Sequence, residues 1–225
     1  MKKGKIIRKI TLLSIVMAFA VSTAAYAFPN NVPNSVPGSG ILTSLIPCKV
    51  SSITINTATE QVIAYDLDNK PVQVFACSTG KHGNTVVGTY KTTNYYEWHL
   101  MNGGVYSRYA VRFNNHELMH SVPYYRHSPD SLEYRQFNKL GSPASAGCCR
   151  MALADAKWIY ENTVPGTVVN VVKDPNLVYS LTHPIIRIDE SNTVTRGWDP
   201  TDTDPNSPYN NGTVQKNESG PNRIM

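Results

Sequence analysis

The residues with the most chemistry to offer are the cysteines Cys48, Cys77, Cys148 and Cys149. Cys148 stands in Gly141-Ser142-Pro143-Ala144-Ser145-Ala146-Gly147-Cys148-Cys149-Arg150-Met151, a run of small residues with one arginine. Gly147 would let the backbone turn sharply before the thiol. Free N–H groups in such a loop can stabilise an oxyanion. A helix start just beyond, together with Arg150, would lower the thiol pKa. A nucleophilic cysteine also needs a base, usually histidine. Cys149 and Cys77 read as core filler, because free cysteine packs as a small hydrophobe. Adjacent Cys148 and Cys149 bridge only with strain; a Cys48–Cys77 disulfide is left open and is not expected.

A second chemistry competes for the same region. His116-Glu117-Leu118-Met119-His120 is a literal H-E-x-x-H. On a helix it would place two zinc ligands one turn apart, with the glutamate as base. Tyr109–Phe113 leads in with strand alternation, however, and Pro123 would break a helix at once. In a strand the two histidines lie about 13 Å apart, too far to share one zinc. No third ligand follows, so no metal is expected. His82, His99 and His183 read as ordinary polar residues. Asp199, Asp202 and Asp204 lack the glycine and terminal glutamate of a calcium loop.

The elements that must position Cys148 are mostly strands. Ser52–Ile55, Gln61–Tyr65 and Val72–Ala76 alternate polar and apolar, the last two joined by an Asp66–Pro71 turn that predicts a hairpin. Further β signals lie at Val87–Lys91, Tyr109–Phe113 and Thr167–Val172. Leu153, Ala156, Ile159 and Tyr160 share one helical face, with Asp155 near its start and Asn162, Pro165 and Gly166 at its end.

Four segments follow from composition. Residues 1–27 carry Lys2, Lys3, Lys5, Arg8 and Lys9, then an apolar run, then Ala25-Tyr26-Ala27, the pattern of a secretory signal peptide. Residues 28–47 read as a Pro/Asn/Ser linker and 48–173 as the folded domain, mostly β with one helix. Residues 174–225 read as a tail that docks through Ile185–Ile188 and Trp198 and is weakly ordered beyond Asp199. Cleavage would remove five of the 21 basic residues, leaving 16 against 16 acidic ones. A neutral chain lacks the charge that nucleic-acid binding needs. No second apolar run approaches a membrane span, so no membrane association is expected after cleavage.

Ser145-Ala146-Gly147-Cys148-Cys149-Arg150 resembles the signature of the L,D-transpeptidase catalytic domain of the YkuD type, Ser/Thr-His-Gly-Cys-x-Arg/Asn. Ser78-Thr79-Gly80-Lys81 with Thr85–Tyr90, Met119–Pro123, Leu140–Ser145 and Asp155–Trp158 are similar to the family's other runs, in order. The likeness spans roughly residues 50–173 and points to a secreted, Gram-positive-like member.

The resemblance implies a mainly β fold, a curved sheet or sandwich with one main helix following the cysteine loop. It implies Cys148 as nucleophile and His120 as general base, oriented by the carbonyl of Ser121. Gly147 and Cys148 amides would face the oxyanion. Ser145 and Arg150 would serve substrate binding, Arg150 by anchoring the stem peptide or bracing the loop. The implied reaction joins peptidoglycan stem peptides, a donor tetrapeptide and an acceptor amine, in a 3→3 cross-link through a cysteinyl thioester. It needs no cofactor, and the enzyme would be a monomer acting at the cell wall and a carbapenem target. Water in place of the amine would give an L,D-carboxypeptidase.

Two departures stand out. Ala146 occupies the place of the family's histidine, which motivates an inactive wall-binding module as an alternative. His120 to Ser145 leaves 24 intervening residues, longer than the family's usual stretch, whereas His127 leaves 17. His120 is preferred because Ser121 follows it and a β run precedes it. The surplus, Tyr125–Lys139, is then expected to be a polar lid over the site.

Overall fold

The structure, a computed structural model, describes residues 50–210. The expected signal peptide and linker, Cys48, and the tail after residue 210 lie outside the described residues. Strands β1 (Ser52–Asn56), β2 (Gln61–Tyr65) and β3 (Pro71–Ser78) form an antiparallel meander. The predicted hairpin turn is built by Asp66, whose Oδ1 accepts the N–H groups of Asp68 and Lys70 at 2.9 Å each. Asn69 takes the left-handed φ of 58° there, a conformation asparagine tolerates.

Next come β4 (Gly88–Lys91), β5 (Tyr95–Leu100), β6 (Tyr106–Arg112) and β7 (Leu118–Ser121). A short helix α1 (Tyr134–Phe137), β8 (Cys149–Met151), α2 (Leu153–Asn162) and β9 (Val168–Val172) complete the order. The nine strands make one curled sheet, β4-β9-β1-β2-β3-β8-β7-β6-β5. Two neighbouring pairs are parallel, β1 with β9 and β7 with β8.

One face of the sheet packs the core. Ile53 and Ile55 on β1, Phe75 and Cys77 on β3, Val111 on β6, Met119 on β7, and Cys149 and Met151 on β8 are fully or nearly fully buried together. Strand side chains alternate faces, so these residues at every second position point one way. Ala156 and Ile159 carry the predicted apolar face of α2 onto the same core. Each such buried aliphatic or aromatic side chain contributes about 1.5–3 kcal/mol.

Of the stretch beyond Asp199 expected to be weakly ordered, residues 200–210 are described, and they pack on the domain. Asp199, Asp202 and Ser207 are buried, and the packed unit extends through Asn210. The physical reason lies at α2. Its N-cap residue, Ala152, has no side-chain acceptor, so the first helical N–H groups need partners from elsewhere. Asp199 Oδ2 accepts the Leu153 N–H at 3.0 Å and Thr201 Oγ1 accepts the Ala154 N–H at 3.0 Å. Asp202 then pairs with Arg108 at 2.8 Å. The start of the tail is anchored to the meander, where Asn56 Nδ2 donates to the carbonyls of Asp174 and Leu177.

The expected lid is also different. Leu132 and Phe137 of the insertion are buried with Val122, Tyr124, Leu140 and Ile188 in a second core cluster. The insertion binds the tail: Leu132 N–H donates to Gly197 O, and Asn138 exchanges bonds with Ile188. Its apolar residues drive it onto the domain rather than over the cysteine.

Candidate active site

Cys148 ends the loop that runs from Gly141 into β8. Each turn of that loop is tied down by backbone. Gly141 takes φ +89° and donates its N–H to Cys77 O. The Ala144 and Ser145 N–H groups donate to Thr79 O at 2.9 and 3.0 Å, and Lys81 N–H donates to Ser145 O at 3.0 Å. Thr79 is itself fixed by buried Glu60, whose carboxylate accepts the Thr79 N–H at 2.6 Å and its hydroxyl at 2.7 Å. Burial holds the Glu60 carboxyl above the usual range, against the pull of both Thr79 bonds.

Two hydroxyls fasten the last turn. Thr85 Oγ1 accepts the Gly80 N–H at 2.7 Å and donates to Gly147 O at 2.6 Å. Ser145 Oγ accepts the Gly147 N–H at 3.0 Å and donates to Cys148 O at 2.6 Å. The second of these revises an expectation. The Gly147 N–H is already given to Ser145, so it does not stand free as an oxyanion donor. Ser145 is a clamp on the Cys148 loop.

Gly147 also lies outside the left-handed region. A Cβ there would meet Asn84 O at 3.4 Å and Glu117 Oε1 at 3.6 Å, ordinary contact distances, so neither a sharp turn nor crowding requires the glycine. The helix start is not beside the thiol either: β8 intervenes, and the first N–H groups of α2 are held by Asp199 and Thr201.

The parallel pairing of β7 and β8 sets Met119 opposite Cys149 and His120 opposite Arg150. By alternation, Met119 and Cys149 enter the core, while Leu118, His120, Cys148 and Arg150 share the other face. These four line one open cavity of about 570 Å³. Cys148 is half-buried, and its Sγ–H reaches His116 O at 3.8 Å. Burial pushes its thiol up; the Leu118 N–H and the Arg150 charge pull the other way.

His120 is 1% exposed. Its Nδ1 lies 2.6 Å from Ser121 O. A carbonyl only accepts, so Nδ1 carries the proton and Nε2 of the neutral ring has a free lone pair. Nε2 has no hydrogen-bond partner among the described residues. Burial, then the Arg150 charge, drives the imidazole pKa down to about 3. The ring is therefore a neutral base across the physiological range.

Arg150 Nη1 donates to Gln136 Oε1 at 3.0 Å and reaches Ala144 O at 3.5 Å. It braces the loop against α1. Burial lowers its pKa, with Glu133 offsetting.

His127 is placed elsewhere. It is exposed, stacks on Tyr106 and meets Trp98 edge-on with centroids 4.6 Å apart, and it is not among the cavity-lining residues. The H-E-x-x-H run passes from a bend into β7, not through a helix. Glu117, its central acid, is buried and accepts from Val86 N–H at 3.0 Å and Asn114 Nδ2 at 2.9 Å. The geometry does not suit a shared zinc. Cys149 and Cys77 are fully buried free thiols, and burial raises the Cys77 thiol.

Sequence reasoning missed His99, Arg112 and Glu60. His99 and Arg112 line the cavity from β5 and β6. Burial and the Arg112 charge lower the His99 pKa. No sequence motif marks them, because only strand order brings β5 and β6 beside β7. Glu60 carries a left-handed φ of 51° and sits at a turn with no turn signature in its residue type.

The family model for "YkuD: L,D-transpeptidase catalytic domain" matches residues 51–171. A curated protein of Bacillus subtilis (strain 168), named "Putative L,D-transpeptidase YciB", is 40% identical over 65 residues, which is 28% of this chain and 32% of that protein. The chain thus aligns with about a third of the length of that relative. An L,D-transpeptidase (Yku) structure from Stackebrandtia nassauensis is 22% identical over 60% of this chain and 64% of its own, with a TM-score of 0.44. An L,D-transpeptidase structure from Mycobacterium smegmatis is 18% identical over 55% and 58%, with a TM-score of 0.45. The architecture rests on the strand pairings above, not on these two likenesses. The family match covers more than half of the 225 residues, and the chain therefore belongs to the YkuD family of L,D-transpeptidase catalytic domains.

Proposed function

We propose that this protein is an exported peptidoglycan L,D-transpeptidase with Cys148 as nucleophile and His120 as general base. The observation that carries the reading is the pairing at one cavity of an accessible thiol with a buried imidazole whose tautomer is set by Ser121 O. The thiol gives its proton to His120 Nε2 as sulfur attacks the carbonyl of the third, diamino residue of a stem tetrapeptide. The C–N bond to the terminal residue breaks, and His120 returns the proton to the leaving amine. The thioester is then opened by an amine of a second stem peptide, whose proton passes to His120. The new amide is the 3→3 cross-link, and Cys148 is regenerated. With the Gly147 N–H bound to Ser145, the oxyanion falls to the N–H of Cys148 itself. No step calls for a metal or cofactor.

Residues 1–27 as a signal peptide would take the enzyme to the wall. No helix among the described residues is long and apolar enough to cross a membrane.

Intact mass of the exported chain after incubation with a carbapenem tests the nucleophile. An adduct on wild type and Cys149→Ala, absent from Cys148→Ala, is expected. No adduct on folded wild type would overturn the reading. Muropeptide products then separate the transfer from hydrolysis: cross-linked dimers are expected, and only shortened monomers would assign a carboxypeptidase.

A further inference from the structure

Glu60 stands on the turn between β1 and β2 and is not among the residues that line the Cys148 cavity. It is buried, and its φ of 51° lies in the left-handed region. That conformation is unfavourable for a long side chain and suits glycine or asparagine instead. Strained residues of this kind persist where their surroundings over-determine them, and they cluster at functional sites. The carbonyl of Glu60 accepts the Cys77 N–H at 2.8 Å, which fixes the turn to β3. From there its carboxylate reaches Thr79: Oε2 accepts the N–H at 2.6 Å and Oε1 the hydroxyl at 2.7 Å. Bonds to a carboxylate are short and stronger than neutral ones.

Thr79 is where the sheet stops guiding the Cys148 loop. The β3–β8 ladder pairs Cys77 with Met151 and Ser78 with Arg150, and ends there. One step further would set Thr79 opposite Cys149, but Thr79 gives its N–H to Glu60. The Thr79 carbonyl then accepts the N–H groups of Ala144 and Ser145 at 2.9 and 3.0 Å. Ser145 Oγ in turn holds the Gly147 N–H and the Cys148 carbonyl. One path of hydrogen bonds runs from the Glu60 carboxylate through Thr79 and Ser145 to the backbone of Cys148.

The chain after Thr79 has no regular strand to stiffen it. His82 and Gly83 take φ of 57° and 76°, and a single turn bond closes the segment, from Asn84 N–H to Lys81 O at 3.1 Å. Lys81 and Thr85 add their bonds to Ser145 O and Gly147 O from within this same segment. Their grip on the loop is therefore only as firm as the hold on Thr79, where the segment leaves β3.

We propose that Glu60 is a positioning residue for the nucleophile: by fixing Thr79 it sets the placement of the Cys148 loop, and with it the rate of acylation, without touching substrate. This rests on the reading of Cys148 as an acyl-accepting nucleophile. A shift of about 1 Å at a reacting atom can cost about 100-fold in rate, even when the cause lies far from the chemistry. Because Glu60 lies outside the cavity, its loss falls on bond formation and spares noncovalent binding.

The test follows carbapenem acylation over a range of carbapenem concentrations, which separates the noncovalent dissociation constant from the acylation rate at saturation. Wild type is compared with Glu60→Gln, Glu60→Ala and Glu60→Gly, each shown to be folded by circular dichroism at the assay temperature. Glu60→Gln keeps both contacts: its amide oxygen accepts the Thr79 N–H, and its NH2 group donates to the Thr79 hydroxyl. Glu60→Ala removes both. Glu60→Gly removes both and also relieves the left-handed backbone, so it reports on the same contacts should the alanine variant fail to fold. The alanine and glycine variants are expected to acylate about 10–100-fold more slowly at saturation, with dissociation constants within about threefold of wild type. Glu60→Gln should recover most of the rate. A wild-type rate in the folded alanine or glycine variant, a loss confined to the dissociation constant, or a glutamine variant as slow as the alanine one overturns the role of Glu60 and leaves Cys148 as nucleophile. No adduct on folded wild type overturns the nucleophile assignment and this inference with it.

Discussion

His120 on β7 stands opposite Arg150 on β8 in parallel register. The same register, two residues earlier, puts Leu118 level with Cys148. Alternation then separates two adjacent cysteines by face: Cys148 lines the cavity, and Cys149 enters the core beside Met119. The Arg150 charge acts on both members of the proposed pair, favouring the thiolate and disfavouring the imidazolium.

The depressed pKa of His120 predicts an unusual acid side for acylation. An exposed histidine would be mostly protonated at pH about 5 and would lose roughly 30-fold in base, whereas His120, at about 3, stays neutral. The second-order rate of carbapenem acylation at pH about 5 should therefore stay within about threefold of its value at pH about 7. A tenfold drop centred near the ordinary histidine value would contradict the burial argument. The stability linkage runs the same way: the folded pKa is depressed, so this contribution is present above 6.5 and lost as pH falls toward about 3.

Ser145→Ala removes the acceptor of the Gly147 N–H and the donor to Cys148 O. Unpaired buried groups of this kind cost about 1–3 kcal/mol each. Since both sit at the nucleophile, the loss should appear as a fall of about 10–100-fold in kcat/KM, with circular dichroism unchanged. Ser145→Thr, which keeps the hydroxyl, should recover most of the rate. Wild-type kinetics in the alanine variant would show that the clamp does not position Cys148.

Cys149→Ala should leave the acylation stoichiometry at one adduct per chain while lowering stability by about 1 kcal/mol through a small core cavity. Urea denaturation reads the second effect and intact mass the first. Loss of the adduct in this variant would mean that the buried thiol takes part in the chemistry.

Asp199→Ala takes away the acceptor for Leu153 N–H and for Thr201, and should destabilise the domain by about 1–2 kcal/mol. Asp199→Asn isolates the charge. Burial raises this carboxyl to about 6, above its ordinary value of 3.8. A raised folded pKa contributes stability that is fully present below 3.8 and is lost as pH rises through about 6. The difference in Tm between wild type and Asp199→Asn should therefore shift with pH across that window and be constant above it. A pH-independent difference would mean that the site is not desolvated.

The sequence by itself determined a good deal. The alternation at Ser52–Ile55 and the Asp66–Pro71 turn are local signals, and β1 and the β2–β3 hairpin form there because strand pattern and turn chemistry agree. The apolar face of α2 was equally legible. So were the Gly147-Cys148 loop and its family, because those residues are contiguous.

What only the tertiary structure decided involves partners far apart in the chain. Ser145 could be read as a motif residue, but its two bonds depend on a fold of the loop set by Thr79 and Glu60, a strand away. The tail looked too polar to order; within its described part Asp199 is buried because a helix with an alanine cap needs acceptors, and Asp199 and Thr201 supply them. His120 and His127 could not be told apart by counting residues. The parallel register of β7 on β8 separates them, since pairing between strands depends on long-range contacts that no local pattern encodes.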